Sequence, residues 1–299
     1  MTKRGYGLAK KRERQRMKIH IAKTAGFCMG VRRAMELTVG VLKEHGPPAH
    51  TFGPLIHNAQ ALELLRDRGV SIISDIPEKK TGAVIIRAHG VPPKIKEKLA
   101  KAAHYLVDAT CPRVIEVQTI IADHAARGYS VIIAGDPDHP EVVGLLGYAE
   151  SRGHVIDSIE ALDALPHFEK SIVVAQTTQS ISFYNEVKKW VAAVCGHYKL
   201  FDTICNSTSR RQAEVTKMAE FADIFVVVGG KNSGNTKRLA QIAAQSGKPV
   251  HHIETEAELD IHRMEASEHI CVTAGASTPN WVIQKVVDKI ESAIKKKGG

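Results

Sequence analysis

Three cysteines share one kind of sequence context. Cys28 lies in Ala-Gly-Phe-Cys-Met-Gly, Cys111 in Asp-Ala-Thr-Cys-Pro-Arg and Cys205 in Asp-Thr-Ile-Cys-Asn-Ser-Thr. Each follows or borders a short apolar run and precedes a helical pattern. They lie 83 positions (28 to 111) and 94 positions (111 to 205) apart, about one small α/β unit each. Three thiolates brought to one centre make a tetrahedral metal or cluster site one ligand short, and the open position is where chemistry can occur. Spacing alone leaves a zinc ion, an iron–sulfur cluster and three unrelated thiols all open. Cys195, late in a helical stretch, and Cys271, inside the strand His269-Ile-Cys-Val-Thr, read as spare buried thiols.

A second set of chemistry-bearing residues sits in turns. His57 closes Gly-Pro-Leu-Ile-His, His89 lies in Arg-Ala-His-Gly and His139 in Asp-Pro-Asp-His-Pro-Glu. Turn imidazoles gathered at one cleft can donate to a polyanion or move protons. Glu141 follows His139 across Pro140. A carboxyl there can serve as a proton donor beside a metal, or it can be an ordinary first-turn acid favoured by the helix dipole. The turns Gln176-Thr177-Thr178, Lys231-Asn232-Ser233-Gly234-Asn235 and Gly275-Ala276-Ser277-Thr278 offer hydroxyls and backbone N–H groups ahead of helices. That is the make-up of a phosphate-type anion site. Neither a Walker A loop nor a dinucleotide glycine pattern is present.

The elements that must hold these turns alternate. Short β-branched runs such as Lys18–Ala22, Ala83–Arg87, Ser130–Ala134, Ser171–Ala175, Leu200–Thr203, Asp223–Val228 and His269–Thr273 are interleaved with amphipathic stretches such as Asn58–Arg68, Val114–Arg127 and Ser209–Phe221. Strand–helix alternation predicts an α/β protein with mostly parallel sheets and ligands beyond the carboxyl ends of the strands. The cysteine spacing suggests three small units: 18–111, 112–202 and 203–278. A basic tail, 1–17, precedes them, and a C-terminal helix with a Lys-rich end, 279–299, follows.

The net charge is +9, which invites a nucleic-acid partner. Residues 1–17 hold seven of the basic side chains against one glutamate, and Lys295, Lys296 and Lys297 close the chain, so the body between them is neutral. The basicity lies in tails and not in a stripe across the fold, which argues against nucleic acid. The N-terminal tail reads as an unstructured extension, or as residues upstream of a true start at Met17. No apolar run is long enough for a membrane span, the N-terminus lacks the apolar core of a secretory signal, and five widely spaced cysteines form no disulfide framework. These features predict a cytoplasmic protein with reduced thiols.

Taken together, Gly-Phe-Cys-Met-Gly-Val, Leu-Ile-His-Asn, Ala-His-Gly-Val, Asp-Ala-Thr-Cys-Pro, His-Pro-Glu-Val, Gln-Thr-Thr-Gln-Ser, Thr-Ile-Cys-Asn-Ser-Thr, Lys-Asn-Ser-Gly-Asn and Thr-Ala-Gly-Ala-Ser closely resemble, in the same order, the 4-hydroxy-3-methylbut-2-enyl diphosphate reductases. The likeness covers about residues 18–290. It implies a reductive dehydroxylation of an allylic diphosphate to isopentenyl and dimethylallyl diphosphate, the last step of the methylerythritol phosphate route. It implies three α/β units in a ring about a [4Fe–4S] cluster, held by Cys28, Cys111 and Cys205 with one iron free of protein ligand. It further implies that His57, His89, His139, Ser233, Asn235 and Ser277 bind the diphosphate. Glu141 is then the proton source, with Thr177 relaying to substrate and Thr178 and Thr208 as further pocket hydroxyls. His139 would stand close enough to share in catalysis. The family often has a serine where this chain has Gly234, so the diphosphate turn is one hydroxyl short. A ferredoxin or flavodoxin is the implied electron donor. On the cysteine trio alone, a cluster hydro-lyase and a non-catalytic iron–sulfur sensor remain open.

Overall fold

The computed structural model describes residues 17–194 and 197–298. The basic tail, apart from Met17, and Cys195 lie outside the described residues.

In chain order the elements are β1 (Lys18–Ile21), α1 (Met29–His45), β2 (Ala49–Phe52), α2 (Ala59–Arg66), β3 (Val70–Ile73), β4 (Thr81–Ile86), α3 (Pro93–Ala102), β5 (Ala103–Asp108), α4 (Pro112–Ala125), β6 (Ser130–Ala134), α5 (Pro140–Tyr148) and β7 (Gly153–Ile156). They continue as α6 (Ile159–Asp163), β8 (Ser171–Ala175), α7 (Ile181–Val194), β9 (Tyr198–Leu200), α8 (Asn206–Met218), β10 (Ile224–Val228), α9 (Gly234–Gln245), β11 (Val250–Ile253), two short 3₁₀ turns, β12 (His269–Ala274) and α10 (Asn280–Gly298).

The strands form three four-stranded sheets, parallel throughout, with spatial orders β3-β2-β4-β5, β7-β6-β8-β9 and β11-β10-β12-β1. The three orders are one pattern used three times. β2, β6 and β10 hold equivalent places, as do β4, β8 and β12, and as do β5, β9 and β1. The equivalence corrects one expectation. Lys18–Ala22 was expected in the first unit, 18–111. It pairs instead with β12, Lys18 opposite His269 and Ile21 opposite Val272, and so completes the third sheet. Order along the chain pointed to the nearest neighbours, whereas the open edge of β12 accepts the strand.

Parallel sheets covered on both faces need apolar residues at successive positions, and the central strands supply them. In β4, Ala83, Val84, Ile85 and Ile86 are all buried. Ala83 and Ile85 face a core with α1 and α2, while Val84 and Ile86 face Leu99 of α3. Sheet two divides in the same way between α4 with α5 and α6 with α7. Sheet three divides between α10 and the α8–α9 pair. The expected strand Leu200–Thr203 ends at Leu200. Beyond it the buried Thr203 hydroxyl accepts from Ala175 N at 2.7 Å and donates to Ala175 O at 2.8 Å, so a side chain does the work of the ladder. Among the described residues, no helix is long and apolar enough to cross a membrane.

Candidate functional site

Because all the strands are parallel, their carboxyl ends in each sheet share one edge, and the three edges surround one cavity of about 700 Å³ of empty space out to solvent. Its lining contains every site residue expected from sequence: Cys28, Cys111, Cys205, His57, His89, His139, Glu141, Thr177, Thr178, Thr208, Ser233, Gly234, Asn235 and Ser277.

The threefold pattern sorts them. The fourth strands β1, β5 and β9 lead into Cys28, Cys111 and Cys205, and each cysteine is the residue that starts a helix: α1, α4 and α8. A helix N-terminus carries partial positive charge, which favours a thiolate or any anionic centre the thiolates hold. Each cysteine is fixed in the same manner. Cys28 N donates to Ala276 O (3.0 Å), Cys111 N to Ala88 O (2.9 Å) and Cys205 N to Thr177 O (3.0 Å), in each case two residues past the third strand of a sheet. All three thiols are free. Burial and the charges of Cys28 and Cys205 raise the Cys111 thiol above its ordinary range. The helix approach is close: a Cβ on Gly30 in the first turn of α1 would overlap Cys111 Sγ. By contrast Cys271 is fully buried in β12, and its thiol is pushed up to about 12.

Five residues past β2, β6 and β10 stand His57, His139 and Ser233; three residues past β4, β8 and β12 stand His89, Thr178 and Ser277. The imidazole rings of His57, His89 and His139 pack with centroids 4.5, 5.3 and 5.4 Å apart. One ring nitrogen from each lies within 4.8 Å of the others, a spacing that several oxygens of one anion, or a metal ion, could bridge. Burial lowers all three from the ordinary histidine range, and Arg87 pushes the same way; His57 adds to the lowering of His89 and His139, and His139 falls to about 4. His57 Nε2, His89 Nδ1 and Asn235 Nδ2 are buried without a partner. Such groups are costly unless a ligand completes them. Ser277 Oγ donates to His57 O (2.9 Å), which ties the turns of two sheets together, and Asn235 Oδ1 accepts from Ala276 N (3.1 Å), which joins two turns of the third sheet.

Glu141 is the single carboxylate in the lining and only 2% exposed. It sits in the first turn of α5, where the dipole reading placed it, yet its carboxyl faces inward. Thr177 N and Thr177 Oγ1 donate to its two oxygens at 2.6 and 2.9 Å. Those bonds favour the carboxylate, but burial outweighs them and raises the group to about 7.

A sequence model of the LytB protein family matches residues 19–291. The chain is 41% identical over 283 residues to the 4-hydroxy-3-methylbut-2-enyl diphosphate reductase of Geobacter sulfurreducens, covering 95% of this chain and 100% of that protein. It is also 41% identical to the reductase of the same name from Aquifex aeolicus, covering 91% and 96%. The chain belongs to the LytB family. Among solved structures, the E-1-hydroxy-2-methyl-but-2-enyl-4-diphosphate reductase of Plasmodium falciparum superposes with a TM-score of 0.87 at 28% identity, over 92% of this chain and 87% of that one. A structure of (E)-4-hydroxy-3-methyl-but-2-enyl diphosphate reductase, the terminal enzyme of the non-mevalonate pathway, gives 0.67 at 40% identity, over 92% and 99%.

One residue of this LytB-family site escaped sequence reasoning. Arg211, in α8, is 3% exposed. Its guanidinium donates to the backbone oxygens of Thr24, Gly26 (2.7 Å) and Ala274 (3.2 Å). It pins the loop before Cys28 to the helix that Cys205 starts and places a buried cation beside both thiols; burial lowers the guanidinium below its ordinary range, and the thiol charges counter that only in part. In sequence it is one of two adjacent arginines on a polar helix, and nothing there separates it from exposed Arg210.

Proposed function

We propose that this chain reduces 4-hydroxy-3-methylbut-2-enyl diphosphate to isopentenyl and dimethylallyl diphosphate. In the balanced reaction the C4–O bond breaks, two electrons and two protons enter, and the oxygen leaves as water. The observation that carries the reading is the convergence of three helix-capping cysteines, three neutral histidines and one raised glutamic acid on a single cavity. Three free thiols at three positive helix ends fit a [4Fe–4S] cluster with one iron left open, as do the buried Arg211 beside them and the absence of a fourth cysteine in the lining. Bound there, the cluster would supply single electrons and a Lewis-acidic iron.

The chain's own residues do the rest. His57, His89 and His139, with Ser233, Asn235 and Ser277, hold the diphosphate and so fix the allyl chain in the cavity. Their orphaned nitrogens gain partners when it binds. Glu141, protonated in a large share of molecules near neutral pH, gives its proton to the departing oxygen, with Thr177 holding both carboxyl oxygens in place. Thr178 and Thr208 add hydroxyls to the wall. A ferredoxin or flavodoxin supplies the electrons, and a cytoplasmic setting keeps the three thiols reduced.

Anaerobic reconstitution followed by turnover with reduced methyl viologen tests the reading. A brown protein with acid-labile sulfide, converting the hydroxylated allylic diphosphate only when a reductant is present, is the expected result. Zinc in place of iron, or water elimination without reductant, would sink it. Cys28→Ser, Cys111→Ser and Cys205→Ser should each lose the cluster, while Cys271→Ser keeps it.

A further inference from the structure

Cys28 and Ser207 line two spaces. One is the central cavity; the other is a solvent-open pocket on the outer side, between the N-terminal ends of α1 and α8. Here the wall between the central cavity and the outer pocket is one residue thick. Cys111 and Cys205 do not line the outer pocket. Its lining includes Lys23, Arg32 and Arg210, all exposed, and no carboxylate. None of the three cations makes an ion pair among the described residues. Glu214, the carboxylate bonded to this loop, is taken up by Lys23 N (2.7 Å), Thr24 N (2.9 Å) and the Thr24 hydroxyl. A small apolar face adjoins the cations. Met29, next to Cys28, is 60% exposed, and Phe27 meets the 43% exposed Trp281 edge to face, ring centroids 6.4 Å apart.

We propose that this face is the docking surface for a small acidic electron-transfer protein, with Cys28 as the entry point for its electrons. The proposal rests on the cluster reading above. The reaction consumes two electrons, which such a partner delivers one at a time as it is oxidised. Electron transfer through protein weakens steeply with distance, so a donor must approach where the wall is thinnest. Electron-transfer encounters bury little area and are steered by complementary charge. A cationic rim around a few exposed apolar side chains suits that kind of contact. The N-terminal ends of α1 and α8 and the buried Arg211 add potential of the same sign.

The test compares two triple variants with equal charge change: Lys23→Glu/Arg32→Glu/Arg210→Glu on this face, and Lys79→Glu/Lys80→Glu/Lys101→Glu away from it. The probes are an acidic plant-type [2Fe–2S] ferredoxin and dithionite-reduced methyl viologen. On this face, the substitutions should weaken ferredoxin binding at low salt, and slow ferredoxin-driven turnover, about tenfold or more, with viologen-driven turnover unchanged. The remote variant should stay within about twofold of wild type, and high salt should erase the difference. Unchanged ferredoxin binding in the first variant, or equal loss in both, overturns the proposal. Single Lys23→Gln and Arg32→Gln variants should each show a smaller loss of the same sign, and no loss in either also overturns it. Binding is measured without turnover. A chain that binds ferredoxin here yet never reduces the allylic diphosphate therefore refutes the reaction and not the docking face.

Discussion

Burial and hydrogen bonding pull the Glu141 carboxyl in opposite directions, and burial wins, leaving it near 7. A general acid must be protonated, and this group is protonated below that value. kcat/KM for the allylic diphosphate should therefore fall as pH rises through about 7. Glu141→Gln should bind substrate, keep the cluster and lose roughly 10²-fold or more in kcat; a flat profile, or a loss of only a few-fold, excludes the role. The histidines give a second pH signature. Free, they lie below their ordinary range, so near neutrality they carry no proton to spare. A bound diphosphate favours their charged forms, so binding should take up protons and tighten as pH falls from 8 toward 6. Calorimetry in buffers of different ionisation enthalpy reads this directly, and zero uptake means they act as neutral donors. Gly234 stands where the family often has a serine, and its surroundings bear on what a serine there would do. A Cβ there would meet Thr178 Oγ1 at 3.0 Å, Gln176 Nε2 at 3.3 Å and His139 Nε2 at 3.4 Å. Gly234→Ser would thus press on the Thr178 hydroxyl, which accepts a 3.0 Å bond from Gln176, and force a small displacement of it. One added hydroxyl contact to a charged group gains roughly 1.5–3 kcal/mol at best. With the displacement set against it, KM in steady-state kinetics should stay level or rise. The turn residues were legible in the sequence because hydroxyls, imidazoles and glycines after apolar strands have few other uses. Arg211 was not, because only the packing of α8 against the Cys28 loop distinguishes it from its neighbour.

Helix starts are the elements on which this site depends. α1, α4 and α8 each begin at a cysteine, α5 at His139 and α9 at Ser233, so five helix dipoles have their positive ends at the cavity. The close fit of α1 can be tested without touching a ligand. Gly30→Ala would press a methyl group onto Cys111 Sγ and push the helix outward. Iron and sulfide content should fall well below wild type, while circular dichroism of the apo-protein changes little; full cluster content would show that α1 can shift without consequence. Most strands were readable because buried parallel strands are continuous apolar runs. β2 was not. Its sequence Ala-His-Thr-Phe is four residues long with two polar members, and its place is set by pairing with β3 and β4. α1 was not singled out either, since its apolar residues are broken by Arg32, Arg33 and Glu36.

The molecule as a whole is one sheet pattern written three times, and its third copy is split across the sequence. Cysteine spacing revealed the repetition. It did not reveal which strand closes which sheet, because pairing between β1 and β12 spans nearly the whole chain and leaves no local mark. That split sets an order on biosynthesis. The first and second sheets draw all their strands from a continuous stretch and can form as the ribosome delivers them. Cys28 is made first among the three cysteines but anchored last. Its loop is held by Ala276 O and by Arg211, and β1 has no partner until β12 has been made. A chain truncated after residue 268 keeps all three cysteines, yet it should take up no stable cluster under conditions that load the full chain, as iron analysis would show. If the proposed cluster is the cofactor, iron loading works as a check on completion: an interrupted chain would not retain it, however many of the proposed ligands it already carries.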